Sequence, residues 1–163
     1  MHGDDWARLS DMYEYPDPSQ RRSRLKAQDT EAVRVLLVED SPIVAERVKE
    51  SIREIPGICV VDTLDRESAA VDTLARGGID VVILDLHLNR GTGFGVLRAL
   101  PRLERPRPVI IIFTSYDLPE YRRQAMALGA DHFLDKAQDF ERIPQLLQTI
   151  REERQGGPPP TVQ

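Results

Sequence analysis

Short apolar runs alternate along the chain with segments whose apolar residues recur every three or four positions. Val33 to Val38 is almost wholly apolar. Ser41 and Pro42 then supply an N-cap and a proline at the first helical position, and Ile43, Val44, Val48 and Ile52 share one helical face. Ile58 to Leu64 reads as a second strand, Ser68 to Arg76 as a helix closed by Gly77 and Gly78, and Ile79 to Leu84 as a third strand. A short helix over Phe94 to Leu100, a fourth strand over Val109 to Phe113 and a helix over Asp117 to Leu128 follow, the last with Gly129 just past its end. Asp131 to Asp135 is a short fifth strand. Ile143, Leu146, Leu147 and Ile150 mark a final amphipathic helix from about Glu141 to Arg154, where Pro144 is tolerated because first-turn N–H groups have no helical partner anyway. Five strands alternating with five helices predict an α/β fold, a doubly wound parallel sheet with helices on both faces. Right-handed crossovers leave the strand order 2-1-3-4-5 as the natural one.

The pattern stops at both ends. Residues 1–31 hold only nine hydrophobic residues, with Pro16, Pro18 and a basic cluster at Arg21, Arg22, Arg24 and Lys26. They are expected to be a mostly disordered leader, with one short helix possible where Trp6, Leu9, Met12 and Tyr13 fall at helical spacing. Residues 32–154 are expected to form the domain. Residues 155–163, with Gly156, Gly157 and three consecutive prolines, are expected to be an extended, disordered tail. About nine residues follow the last helix, so the reading expects a domain that stands alone.

Composition narrows the function. The chain has 163 residues, 40% hydrophobic and 30% charged, with a net charge of −5, whereas domains that bind by neutralising nucleic-acid phosphates are usually basic. The single cysteine, Cys59, excludes an internal disulfide and any zinc site built on two thiolates. The longest apolar runs are too short to span a bilayer, and no segment reads as a secretory signal, so a cytoplasmic location is expected.

Candidate chemistry gathers at the strand ends, where ligands bind in such a sheet. Strand 1 ends in Glu39 and Asp40, strand 3 in Asp85, strand 4 in Thr114 and Ser115, and strand 5 in Asp135 and Lys136. Each alone has an ordinary explanation as a cap, a turn residue or a solvated charge. Together they do not, because two carboxylates about 5 Å apart repel by about 3 kcal/mol at an effective dielectric of ~20. A fold that gathers three needs a cation, and hard carboxylate oxygens suit Mg²⁺. A Mg²⁺ site beside a lysine and a threonine is equipment for phosphoryl transfer, in which an aspartate can itself be the nucleophile.

Four motifs carry a family resemblance: Val35-Leu36-Leu37-Val38-Glu39-Asp40-Ser41, Val82-Ile83-Leu84-Asp85-Leu86, Ile112-Phe113-Thr114-Ser115, and Gly129-Ala130-Asp131-His132-Phe133-Leu134-Asp135-Lys136. From about Val33 to Arg154 the chain resembles the receiver domain of two-component response regulators, a flavodoxin-like fold. The resemblance implies that Asp85 is the phosphoacceptor, taking its phosphoryl group from a phosphohistidine of a histidine kinase or phosphotransfer protein. It implies that Asp40 and Asp85 hold Mg²⁺ directly, with Glu39 acting largely through water and the His87 backbone carbonyl as a further ligand. Thr114 and Lys136 would bind phosphoryl oxygens, Phe133 would be the aromatic switch residue, and His87 and Tyr116 would border the path of attacking water. Output would pass through protein–protein contact, as a monomer or a phosphorylation-dependent dimer, on a face near Tyr121, Arg122 and Arg123. Two positions depart from the pattern: Asn89 and Ala137 stand where proline is common, so a trans Lys136–Ala137 bond is expected. Two rival functions remain open at this level. A haloacid dehalogenase-like phosphatase would want a second acid two residues after the nucleophile, where His87 stands. A DNA-binding regulator would act through the basic leader.

Overall fold

The computed structural model describes residues 32–103 and 106–156. The leader, its candidate helix and nearly all of the tail lie outside the described residues. Five strands, β1 (Val33–Val38), β2 (Ile58–Leu64), β3 (Val81–Leu84), β4 (Val109–Thr114) and β5 (His132–Asp135), alternate with five helices. The helices are α1 (Pro42–Arg53), α2 (Glu67–Arg76), α3 (Gly93–Ala99), α4 (Pro119–Ala127) and α5 (Arg142–Arg154). All pairings are parallel and the order is β2-β1-β3-β4-β5, as the alternation predicts.

The near-continuous apolar strands follow from two-sided burial. Successive strand residues point to opposite faces. Val35 and Leu37 of β1, Val81 and Ile83 of β3, and Ile111 and Phe113 of β4 pack in one core with Val48 of α1 and Ile143 and Leu147 of α5. Their alternates, Leu36, Val38, Val82, Leu84, Ile110 and Ile112, pack on the other face with Ala70 and Leu74 of α2, Val96 and Leu97 of α3 and Ala125 of α4. Neither face of the three central strands is left for solvent, and their carboxyl ends are held at fixed spacing.

Local rules explain where elements stop. Ser41 caps α1, its hydroxyl accepting the Val44 N–H at 3.4 Å, ahead of Pro42. β3 starts at Val81, two residues later than its apolar run suggests, because Asp80 is used as a clasp: its carboxylate accepts the Arg34 N–H at 2.8 Å. The helix expected from Asp117 starts at Pro119 instead. The residue before a proline is pushed out of the helical region, and Leu118 is extended (φ −97°, ψ 138°), so Asp117 stays in the loop. α3 gives way to a 3₁₀ turn over Leu100–Arg102, where Pro101 interrupts the α-helical pattern.

β2 lies at one edge. Its register against β1 slips between Val35 and Leu36, so that Val60 pairs with Val35 but Asp62 with Leu36. The Asp62 carboxylate accepts the Thr63 N–H at 2.8 Å.

Ile83, buried at the centre of the sheet, tests the two-layer packing. Ile83→Ala should lower unfolding stability by about 2–5 kcal/mol. Ile43→Ala, at a side chain 75% exposed, should change it by less than about 0.5 kcal/mol in the same urea titration.

Candidate functional site

The carboxyl ends of β1, β3, β4 and β5 meet in one acidic pocket. Glu39 follows β1 directly, with its N–H tied to the Leu64 carbonyl at 2.8 Å. Asp85 follows β3 and its N–H donates to the Val38 carbonyl at 3.0 Å, so the backbone itself sets the two acids side by side. Oxygens of Glu39, Asp40 and Asp85 all lie within 4.8 Å of one another. Glu39 and Asp85 are 4% and 5% exposed, and Asp40 is half-buried.

Lys136 answers that charge. Its Nζ lies 2.6 Å from Glu39 Oε2 and 2.8 Å from Asp85 Oδ2, bridging the strands at either end of the cluster. The second oxygens are used by the backbone: Glu39 Oε1 accepts the Ser41 N–H at 3.0 Å, and Asp85 Oδ1 accepts a long bond from the His87 N–H at 3.4 Å. Burial pushes the Glu39 carboxyl above the ordinary glutamate value, against the lowering pull of Lys136 and the Ser41 N–H, and Asp85 adds to the rise. Burial would lower the Lys136 ammonium, but its two carboxylate partners outweigh it and hold the group above the usual lysine value.

The turn after β5 aims Lys136. The Asp135 carboxylate accepts the Ala137 N–H at 2.7 Å, a bond proline could not make, and the Asp139 carboxylate accepts the Asp135 N–H at 2.9 Å. That bond is the main reason the Asp139 carboxyl sits below its usual range. No cis peptide bond occurs among the described residues, so Lys136–Ala137 is trans, as expected without proline. Thr114 is fully buried and pairs with Asp135 across the sheet, and its carbonyl accepts the Lys136 N–H at 3.0 Å. Its hydroxyl accepts the Tyr116 N–H at 3.3 Å and still has its own proton to donate.

Residues 86–93 fold back as a narrow loop beside Asp85. The Gly93 N–H donates to the Leu86 carbonyl at 3.0 Å, and His87 pairs with Thr92 as an isolated antiparallel bridge. Gly93 is glycine for a steric reason: an added Cβ would sit 2.3 Å from the Asp85 carbonyl oxygen. The His87 and Tyr116 rings, from different loops, meet with centroids 3.8 Å apart, and Tyr121 and Phe94 extend the aromatic row at 6.0 and 5.7 Å.

Of the residues singled out in the sequence, Glu39, Asp40 and Asp85 cluster together, Lys136 contacts Glu39 and Asp85, Thr114 joins them through Lys136, and His87 joins through Asp85. Phe133 is placed apart. It pairs with Ile112, is buried in the α2–α3–α4 core, and carries the Arg122 guanidinium over its ring at 4.6 Å. Arg122 also pairs with Asp117 at 2.9 Å. Sequence reasoning missed Glu67, whose carboxylate accepts the Thr92 N–H at 2.8 Å. The available signal was the alternation Gly91, Gly93, Gly95, which leaves room for a neighbour.

Comparison with known proteins agrees with this geometry. Residues 35–148 match the family model described as response regulator receiver domain. The chain is 28% identical over 123 residues to the sensory transduction protein LytT of Bacillus anthracis, covering 76% of this chain and 49% of that protein. It is 31% identical over 119 residues to the probable transcriptional regulatory protein TcrX of Mycobacterium tuberculosis, covering 73% and 50%. The chain thus spans about half the length of these relatives. Among solved structures, it resembles a two-component response regulator of the LuxR family from Aurantimonas (TM-score 0.64, 27% identity, 79% and 91% of the chains covered). It also resembles the receiver domain of the response regulator AraT from Geobacillus stearothermophilus (TM-score 0.65, 25% identity, 77% and 97% covered). The strand order, the acid cluster with its lysine, and these similarities converge: the chain belongs to the receiver-domain family of two-component response regulators.

Proposed function

We propose that this protein is a phosphorylation switch in which Asp85 accepts a phosphoryl group from a phosphohistidine of a histidine kinase or phosphotransfer protein, in a Mg²⁺-dependent reaction. The observation that carries the reading is the Asp85 carboxylate itself, at the end of the central strand, flanked by two further acids and held by Lys136 at 2.8 Å. An oxygen of Asp85 forms the new bond to phosphorus as the bond from phosphorus to the imidazole nitrogen breaks, the electron pair leaving with the imidazole. Hydrolysis of the acyl phosphate by water returns the carboxylate.

The donor set fits a small hard cation: three carboxylates with oxygens within 4.8 Å, joined in this reading by the His87 carbonyl. When bound, Mg²⁺ would offset charge on the phosphoryl oxygens. Lys136, already between Glu39 and Asp85, would turn to a phosphoryl oxygen, and the Thr114 hydroxyl would donate to another. Phe133 would repack behind Thr114, changing the surface of α4, β5 and α5 and thereby partner affinity or self-association in the cytoplasm. His87 and Tyr116, in ring contact, would restrict the approach of water. The rival phosphatase reading lacks its second acid at position 87, and the basic cluster behind the DNA-binding reading lies outside the described residues.

Three outcomes are expected. Incubation with Mg²⁺ and acetyl phosphate should add one base-labile phosphoryl group, read by intact mass, and Asp85→Asn should remove it entirely. Retained labelling of that variant would overturn the assignment.

The second concerns charge balance in the metal-free chain. Lys136→Met strands two buried carboxylates and should cost about 3 kcal/mol of unfolding stability at pH 7. Without the lysine, burial and repulsion by Asp85 raise the Glu39 carboxyl unopposed by its cation, so the folded state binds more protons than the unfolded chain. The deficit should therefore shrink as pH falls through the folded Glu39 value, which lies above the ordinary glutamate value. In the parent, Lys136 is held above the usual lysine value, so its contribution is full below that value and is lost as pH rises through the folded one. Urea midpoints across pH check both signs.

The third concerns lifetime. Replacing both His87 and Tyr116 with alanine should change the rate of phosphoryl loss at least several-fold, measured by decay of the labelled mass. Superimposable decay curves would remove these rings from the mechanism.

A further inference from the structure

The loop that carries His87 is fastened to the start of α2 by backbone contacts and by the Glu67 side chain. Glu67 is the first residue of α2. Its backbone N–H donates to the Arg90 carbonyl at 3.0 Å, and its Oε2 accepts the Thr92 N–H at 2.8 Å, so one residue grips the loop on both sides of Gly91. Arg66 and Arg90 pair beside it as an isolated parallel bridge.

The glycines of the loop are spaced for this grip. A Cβ added to Gly91 would lie 2.4 Å from both Cβ and Oε2 of Glu67, and one added to Gly95 would lie 2.1 Å from its Cδ. Gly95 sits inside α3, where glycine is worse than alanine for the helix, and the space its missing side chain leaves is filled by the Glu67 carboxylate. Gly93, between them, serves the Asp85 carbonyl instead. The grip is three contacts from the chemistry: Glu67 holds Thr92, Thr92 pairs with His87, and the His87 N–H meets Asp85 Oδ1.

We infer that Glu67 is a positioning residue of the phosphoacceptor site: by fixing Thr92 it places the His87 backbone, and so sets the affinity for Mg²⁺ and the rate at which Asp85 is phosphorylated. This rests on the reading of Asp85 as phosphoacceptor. Glu67 touches neither the acids nor the ammonium in the contacts described; it acts through the loop.

The full chain should be compared as parent, Glu67→Ala, Glu67→Gln and Gly95→Ala. Three quantities are read: hydrogen exchange at the Thr92 amide, the dissociation constant for Mg²⁺ alone by amide chemical-shift titration, and the initial rate of labelling by acetyl phosphate. Glu67→Ala should speed Thr92 exchange at least tenfold, weaken Mg²⁺ binding threefold or more and slow labelling by a similar factor. Glu67→Gln keeps an oxygen acceptor for the Thr92 N–H and should stay within twofold of the parent in all three. Gly95→Ala, whose methyl group displaces the carboxylate, should reproduce Glu67→Ala. Added to Glu67→Ala it should cause no further loss and should raise the melting temperature, since alanine then enters the helix unopposed. Parental exchange and Mg²⁺ affinity in Glu67→Ala would overturn the inference, as would a Glu67→Gln variant as impaired as the alanine. Should Glu67→Ala fail to fold, Gly95→Ala carries the same test. A parent that takes no label on Asp85 would defeat the phosphoacceptor reading, and the exchange and Mg²⁺ measurements would still decide whether Glu67 positions the loop.

Discussion

Three carboxylates drawn together at the ends of neighbouring strands, with one ammonium between two of them, set the terms for the whole molecule. Glu39 and Asp85 are almost fully buried, so water does little to screen their repulsion, and the backbone bond from the Asp85 N–H to the Val38 carbonyl stops them from moving apart. Lys136 relieves part of that load but leaves a net negative pocket. Such a pocket is a poor arrangement for stability and a good one for recruiting a cation. Its tension is tolerable because the strands beneath are locked from both faces.

That division of labour between sheet and loops recurs throughout. Alternate residues of β1, β3 and β4 enter opposite cores, so the strand ends form a stiff rim. Every group that would move during the proposed reaction sits above the rim: His87 on a narrow loop, Tyr116 after β4, Lys136 on a turn braced by Asp135 and Asp139. Thr114 and Phe133 are the exceptions, since both lie within the sheet, and Phe133 is capped from outside by Arg122. A change there has to pass through packing.

Much of this was legible in the sequence, for reasons that are local. Apolar runs of four to seven residues announce doubly covered strands, and Ser41-Pro42 and Leu128-Gly129 announce where helices begin and end. The acids were legible because each directly follows such a run, and topology then converts separations of tens of residues into contact. What escaped depended on tertiary geometry or on competition between neighbours. Asp80 looks like a strand residue until Arg34 of another strand claims its carboxylate. Asp117 looks like a helix start until the steric demand of Pro119 on Leu118 decides otherwise. Glu67 reads as an ordinary first-turn acid; its partner, Thr92, is 25 residues away and offers only a backbone N–H, which carries no side-chain signature. The contact of His87 with Tyr116 likewise joins two loops that no periodicity relates.

An open sheet has two exposed margins, each offering backbone groups to a strand from another chain. On β2 the Leu64 carbonyl turns inward to the Glu39 N–H, so the neighbouring Thr63 N–H points outward, and the Asp62 carboxylate occupies it. On β5 the Lys136 N–H turns inward to Thr114, and the outward Asp135 N–H is occupied by the Asp139 carboxylate. The slipped register of β2 further breaks the even ladder that an added strand would need. At these positions each margin carries one of the chain's own carboxylates, which leaves an incoming strand neither that donor nor a neutral surface. Those charges work against the contact that β-sheets most readily make, edge-to-edge aggregation.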